Sequence, residues 1–345
     1  MDSSMPGSPL SFALKTMAGL FPVVAFLLAL IVIDSYKLVR FRALVIAILA
    51  GAAAAGLGYV LNSELIKLFG SDLSTYSRYG SPFVEEILKA AVLIYFFKSQ
   101  RIGFLVDGAI LGFAAGAGFA LVENIYFLSA SPGAPVLVWL IRGFGTAIMH
   151  GGTTAMLAAI TKGLADRFSK DPGVVCLPGL LGAFAVHSVF NHFFLPPLLM
   201  TAVIIVVLPL IAIPVFIASE KLTRRWLDVG FDSDVELLGF ITAGRVTTTQ
   251  VGAYLVSLKS RFPGEVVADM LCLLRIHLEL SISAKGILLL REEGFPVTID
   301  PGVKEKFAEL AYLEKSIGPT GMRTIGPLLH RSSRDLWELH MLGMA

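Results

Sequence analysis

Three short patterns and one histidine put acids, an amine and imidazoles into stretches otherwise dominated by apolar side chains. Glu85-Glu86-Ile87-Leu88-Lys89 sets two carboxylates against one amine. Both acids lie about one helical turn from Lys89, so one can pair with it while the other stays free for proton transfer or metal binding. Phe119 through Glu123-Asn124 brings a third carboxylate with an amide beside it. His150 follows, with Thr146, Thr153 and Thr154 nearby on the same helical surface. His187 and Asn191 lie one turn apart and share a face. An ionised Asp, Lys or Arg at the centre of a membrane helix costs roughly 2.5–3.5 kcal/mol, so such groups need partners or a wet cavity and mark functional positions. The bland alternatives are a charged helix start at the lipid interface for Glu85 and Glu86, and simple interhelical hydrogen bonds for the histidines. Glu123, with no evident cation beside it, is harder to explain as packing. Arg142 reads as a snorkelling side chain near a span end. Asp107 and His192 read as interfacial.

The elements that must position these residues are membrane helices. Of 345 residues, 55% are hydrophobic and 16% charged. A soluble domain carries nearer a quarter charged, so the composition belongs to the membrane class. A net charge of +2 is too small to argue for nucleic acid. A crossing helix needs about 20 mostly apolar residues, which predicts seven spans at 17–35, 42–61, 82–97, 103–128, 136–161, 173–195 and 198–218. Lysine and arginine cluster on alternate loops: Lys37, Arg40 and Arg42; Lys98 and Arg101; Lys162, Arg167 and Lys170; Lys221, Arg224 and Arg225. The opposite side has only Lys15, Lys67 and Arg78. The richer side is expected to be cytoplasmic, which puts the N-terminus outside. The basic cluster follows the first apolar run and no small-residue cleavage site is evident, so that run reads as a permanent span rather than a signal peptide. With this orientation Glu85, Glu86 and Glu123 fall toward the outer surface, and His150 and His187 nearer mid-depth. The five can converge in the outer half of the bilayer. Gly108, Gly112, Gly116 and Ala120 recur every four residues beside Glu123, a stripe that lets another helix approach closely. The segment 62–81, with Tyr76 and Tyr79, reads as a lid or substrate guide, or else as a plain interfacial loop.

Charge density divides the chain. Residues 1–218 contain 13 Lys/Arg and 10 Asp/Glu, against 15 and 16 in residues 219–345. The expected architecture is all-α: a membrane domain over 1–218 and a helical cytoplasmic domain over 219–345. In the latter, Thr247 and Gln250 fit a capping box opening a helix to about 261. A longer helix is expected over 265–293, ended by Gly294–Pro296. Asp300 and Pro301 resemble an N-cap and first helical residue, with the helix ending near 316. Cys176 and Cys272 show no paired spacing and read as free thiols.

Taken together, the patterns resemble the PrsW family, relatives of the type II CAAX prenyl endopeptidases. Its E-E-x-x-K appears at Glu85–Lys89, its F-x-x-x-E-N at Phe119–Asn124, its intramembrane histidine at His150 and its H-x-x-x-N at His187–Asn191. All four occur in order on consecutive spans; each alone is weak, and the set is specific. The resemblance covers roughly residues 17–218. It implies an intramembrane endopeptidase of a bacterial plasma membrane, making the first, extracytoplasmic cut in a single-span protein such as an anti-sigma factor. The tail lies outside the resemblance and is expected to bind a regulator or to self-associate.

Peptide hydrolysis needs an activated water, a stabilised oxyanion and a proton for the leaving amine. In a metal route, His150, His187 and Glu123 hold zinc or a similar divalent ion, and Glu85 or Glu86 serves as base and then acid. In a metal-free route, a buried glutamate activates water with help from histidine, and His187 or Asn191 stabilises the oxyanion. Lys89 and Asn124 support either arrangement. H-E-x-x-H is absent, which excludes a helix-borne zincin site. The rival classes are a proton- or cation-coupled transporter and a catalytically silent membrane scaffold. No inverted repeat favours the transporter.

Overall fold

The computed structural model describes residues 9–329 and 333–343. Among them every regular element is helical, and the chain divides into two compact units. One holds the residues up to Asp34 and Leu38–Ser219; the other holds Ser35–Lys37 and the residues from Glu220 onward.

In the first unit, α1 is Pro9–Ile33, α2 Phe41–Phe69, α3 Ser81–Lys98, α4 Leu105–Ala130, α5 Ile148–Phe168 and α6 Leu177–His192. The long α7, Pro197–Thr242, begins here and continues into the second unit. Among the described residues, four helices are by length and composition apolar enough to cross a membrane: Leu10–Ile33, Phe41–Phe69, Leu105–Ala130 and Pro197–Thr242. The remaining ones are shorter or carry the polar groups singled out above.

Burial identifies the axis of this unit. Of the apolar window of α4, 83% is inside the protein, against 11% for that of α7. A helix buried on all sides must meet its neighbours closely, and glycine makes that possible here. A Cβ on Gly112 would come within 2.7 Å of the Thr154 carbonyl oxygen, and one on Gly116 would strike the carbonyl of His150. The expected small-residue stripe therefore receives α5, at the turn that carries His150. On the other side of α4, Gly51 of α2 meets the Ala115 carbonyl and Gly118 meets that of Ile48.

Two π-helical turns, Tyr76–Gly80 and Ile141–Ala147, lie just before α3 and α5. Such turns carry one extra residue and re-aim the side chains that follow; they are frequent at functional sites. Asp107 lies in the first turn of α4. It is fully buried, and its carboxylate accepts from the Gly103 and Phe104 backbone N–H groups, capping α4.

In the second unit, α8 is Gln250–Leu258, α9 Gly264–Glu292, α10 Gly302–Ile325 and α11 Ser333–Gly343. The core is centred on α9, where Met270, Leu273, Leu280, Ala284 and Leu288 have no exposed surface. The expected cap at Thr247 is displaced. Residues Val246–Thr248 form a 3₁₀ turn, and Thr249 instead accepts from the Gly252 N–H. Asp300 does receive the Gly302 N–H, with the helix opening one residue later than expected. That helix continues past 316 through a kink at Gly318, where φ is 71°. Both cysteines are free thiols.

Candidate active site

Glu85, Glu86, Glu123, His150 and His187, drawn from α3, α4, α5 and α6, form one connected cluster. Its centre is Glu86, fully buried. The Glu86 Oε1 atom accepts from Lys89 Nζ at 2.7 Å and from His187 Nδ1 at 2.8 Å. Glu86 Oε2 is buried with no hydrogen-bond partner. Of the two acids that compete for Lys89 along the sequence, Glu86 takes it and Glu85 is left without that cation. The i,i+3 spacing places the Glu86 carboxylate on the inward face with the amine.

Lys89 also reaches His150 Nδ1 at 2.9 Å, over the Phe119 ring. An ammonium can only donate, so Nδ1 of His150 accepts and Nε2 carries the proton. That Nε2 meets Glu123 Oε2 at 2.9 Å. Likewise, His187 donates through Nδ1 to Glu86, which leaves Nε2 as the acceptor, 3.9 Å from Glu85 Oε2. The two imidazoles meet edge to face, ring centroids 4.7 Å apart.

Arg142 overturns the snorkelling expectation. Its Nη2 donates to Glu123 Oε1 at 2.9 Å and its Nε to Asn124 Oδ1 at 2.9 Å. Glu123 is therefore paired twice, contrary to its reading as an acid without a cation. The π-helical turn holding Arg142 brings the guanidinium inward, a displacement that hydropathy cannot register. Asn124 in turn donates to the Gly19 carbonyl of α1 at 2.8 Å. Asn191 is not joined to the cluster. Its amide donates to the Ser77 carbonyl at 2.9 Å, and Ser188 donates to that of Arg78, so α6 holds the π-helical turn before α3. His192 Nε2 lies 3.0 Å from the Tyr79 hydroxyl of the same turn.

Glu85 is oriented by Ser81 and Asn62, which sequence reasoning passed over, and through Asn62 by Tyr76, which it had placed in a lid, guide or interfacial loop. Ser81 donates to Glu85 Oε1, and Asn62 Nδ2 lies 3.1 Å from Ser81 Oγ and 3.4 Å from Glu85 Oε1. The Tyr76 hydroxyl donates to Asn62 Oδ1 at 2.9 Å, which fixes the amide orientation. The only hint in the sequence was one polar residue, Asn62, just past an apolar run.

Donor chemistry fits a divalent ion. Glu85, His150 and His187 each offer a ligand atom, and these atoms lie within 4.8 Å of one another. A carboxylate with two imidazoles is the donor set of catalytic zinc sites that keep a position open. Glu86 and Glu123 bond the far sides of the two histidines, the usual arrangement behind metal-bound imidazoles. The structure thus gathers Glu85 with the histidines, whereas Glu123 stands behind His150, held by Arg142. Since both His150 nitrogens are engaged, ligation through it exchanges one of those contacts for the ion.

Comparison with known proteins agrees with this geometry. The sequence model described as PrsW family intramembrane metalloprotease matches residues 39–219. No curated protein matches the chain, and no solved structure does.

Proposed function

Since the chain belongs to the PrsW family of intramembrane metalloproteases and is a multi-pass membrane peptidase, we propose that Glu85, His150 and His187 hold its divalent ion. The observation that carries this reading is the approach of their ligand atoms to within 4.8 Å, inside a bundle where every other acid of the cluster is already paired. Zinc is the ion this donor set suits best.

When bound, such an ion polarises the scissile carbonyl and eases deprotonation of water. The chain's own groups supply the rest. Glu86 holds His187 through Nδ1, which leaves its Nε2 to ligate, and Glu123 holds His150 through Nε2, whose Nδ1 would exchange its contact with Lys89 for the ion. The unpartnered Oε2 of Glu86 takes the proton of the attacking water and returns it to the leaving amine. Lys89 pairs with Glu86 and offers positive charge to the developing oxyanion. Arg142 keeps the Glu123 carboxylate turned toward His150.

The substrate proposed is a single-span membrane protein, cut near the extracytoplasmic side of a bacterial plasma membrane. An anti-sigma factor is the candidate that the family resemblance suggests. The supporting arguments are the lysine and arginine bias of the loops, which puts the C-terminal unit in the cytoplasm, and a seven-span topology that then places Glu85 toward the outside. The regions 1–218 and 219–345 act as protease domain and cytoplasmic domain, and the latter receives regulators.

The test uses full-length protein in lipid nanodiscs with a single-span reporter, followed by metal analysis. The wild type should cut and carry about one ion per chain. Glu85→Gln, His150→Ala and His187→Ala should lose both cleavage and ion. Cleavage at the wild-type rate by any of the three would overturn the assignment, and full activity after rigorous chelation would remove the metal from it.

A further inference from the structure

The first helix supplies none of the acids or imidazoles of the cluster, and it lies outside the residues matched to the family, 39–219. Its buried face carries Lys15, Gly19, Pro22 and Val23. A proline inside a helix has no N–H to give to the carbonyl four residues back, and its ring crowds that carbonyl. In α1 the proline is Pro22, so the carbonyl left without its usual donor is that of Ala18.

Gly143 meets that carbonyl. It follows Arg142 in the π-helical turn Ile141–Ala147 and is buried. A Cβ on Gly143 would strike the Ala18 oxygen and come within 3.1 Å of Pro22 Cγ. The turn therefore sits in a notch that combines proline on one element with glycine on the other. One residue further along α1, the Gly19 carbonyl accepts from Asn124 Nδ2 at 2.8 Å. From this seat Arg142 reaches Glu123 Oε1 and Asn124 Oδ1, both at 2.9 Å, with its guanidinium 3.9 Å from the Phe127 ring centroid. A second contact leads to the same place. Phe26 of α1 stacks on Phe113, ring centroids 4.9 Å apart. Phe113 in turn occupies the space left by Gly151, the neighbour of His150: a Cβ on Gly151 would come within 2.6 Å of the Phe113 ring. These contacts all lead to Glu123 and His150.

We propose that Pro22 and Gly143 are positioning residues of the active site. The carbonyl that Pro22 frees on Ala18 seats the Gly143 turn, and that seat sets the reach of Arg142 to the carboxylate behind His150. Neither residue touches the ion or the substrate; both act through Arg142 and Glu123. This rests on the reading of the cluster as a metalloprotease site. An outer carboxylate that loses its orientation weakens the imidazole it holds as a ligand, so the effect belongs to ion affinity and turnover rather than to substrate binding.

The test is Pro22→Ala in full-length protein in lipid nanodiscs, with Pro214→Ala of α7 as the matched control. Pro214 also lies inside a helix but is exposed. Alanine restores a backbone N–H and favours the helix, so the Tm of Pro22→Ala should hold or rise. Its kcat on the single-span reporter should fall at least about tenfold with KM within about twofold. Its zinc affinity, by competition with a chelator, should fall about tenfold. Pro214→Ala should leave all three quantities within about twofold of wild type. In an Arg142→Met background, Pro22→Ala should lower zinc affinity by less than about twofold more, since both changes act on one contact. Unchanged zinc affinity in Pro22→Ala, a loss accompanied by a lower Tm, equal losses in Pro214→Ala, or full additivity with Arg142→Met would overturn the inference. If Arg142→Met gives no folded baseline, Pro22→Ala against Pro214→Ala decides, and equal zinc affinities there are fatal. A wild type that neither cuts nor holds zinc would bring down the metalloprotease reading and this inference with it. A wild type that does both, matched by Pro22→Ala, brings down this inference alone.

Discussion

Each unit buries a lysine over an aromatic ring and against a carboxylate, yet the two arrangements differ in what surrounds the pair. Lys89 lies 4.6 Å from the Phe119 ring centroid and bonds Glu86; Lys285 lies 5.3 Å from that of Trp226 and bonds Asp234. Around Lys89, two imidazoles and Arg142 extend the network over four helices, and one acid, Glu85, is left free of that lysine with a histidine facing it. Around Lys285, the Ser281 hydroxyl joins the Asp234 and Glu338 carboxyls, and burial leaves the proton on Glu338. An unpaired acid next to imidazole is suited to hold an ion and move protons. Buried lysine–carboxylate pairs are therefore poor guides to function until their neighbours are known.

That contrast can be broken most severely at its centre. His187→Ala should lower reporter cleavage at least a thousandfold and abolish bound metal, while Lys285→Met should leave cleavage within about twofold, both measured in nanodiscs. Similar loss in both variants would erase the distinction between the units. Gly116→Val ranks next. Its side chain would strike the carbonyl of His150, so we expect little folded protein by thermal melting, and less than a tenth of wild-type cleavage in what remains.

The supporting residues sharpen the comparison further. Glu86→Gln removes both the base and the charge behind His187: cleavage should fall at least about a hundredfold, and metal affinity roughly 10–100-fold by competition with a chelator. Asn62→Ala frees Glu85 from one side, and kcat should fall about tenfold with KM little changed and the acidic limb of the pH profile displaced. An unchanged pH profile would reduce Asn62 to a packing residue.

The smallest effect concerns the second unit and its pH dependence. The Glu338 carboxyl is raised from 4.5 to about 8. Between those values the folded state keeps a proton that the unfolded state releases, so stability falls as pH rises through the window and levels off above it. Glu338→Gln should flatten that slope in melting curves recorded from pH 5 to 9. A wild type whose Tm does not fall over that range would contradict the buried, protonated state.

The sequence alone was enough to place most helices and the acids and imidazoles that interrupt apolar stretches, because hydropathy, helical spacing and motif order are local properties. The glycine stripe on α4 was legible for the same reason. Distances across the bundle were not. Which of Glu85 and Glu86 takes Lys89, where Arg142 reaches, which nitrogen of each histidine is left to accept, and that Asn62 and Tyr76 steady Glu85 all depend on how separate helices meet. The π-helical turn before α5 rotates Arg142 by an amount no periodicity encodes. Near Glu338, the carboxyls that share one hydroxyl are more than a hundred residues apart in sequence, so only tertiary packing could bring them together and decide where the proton rests.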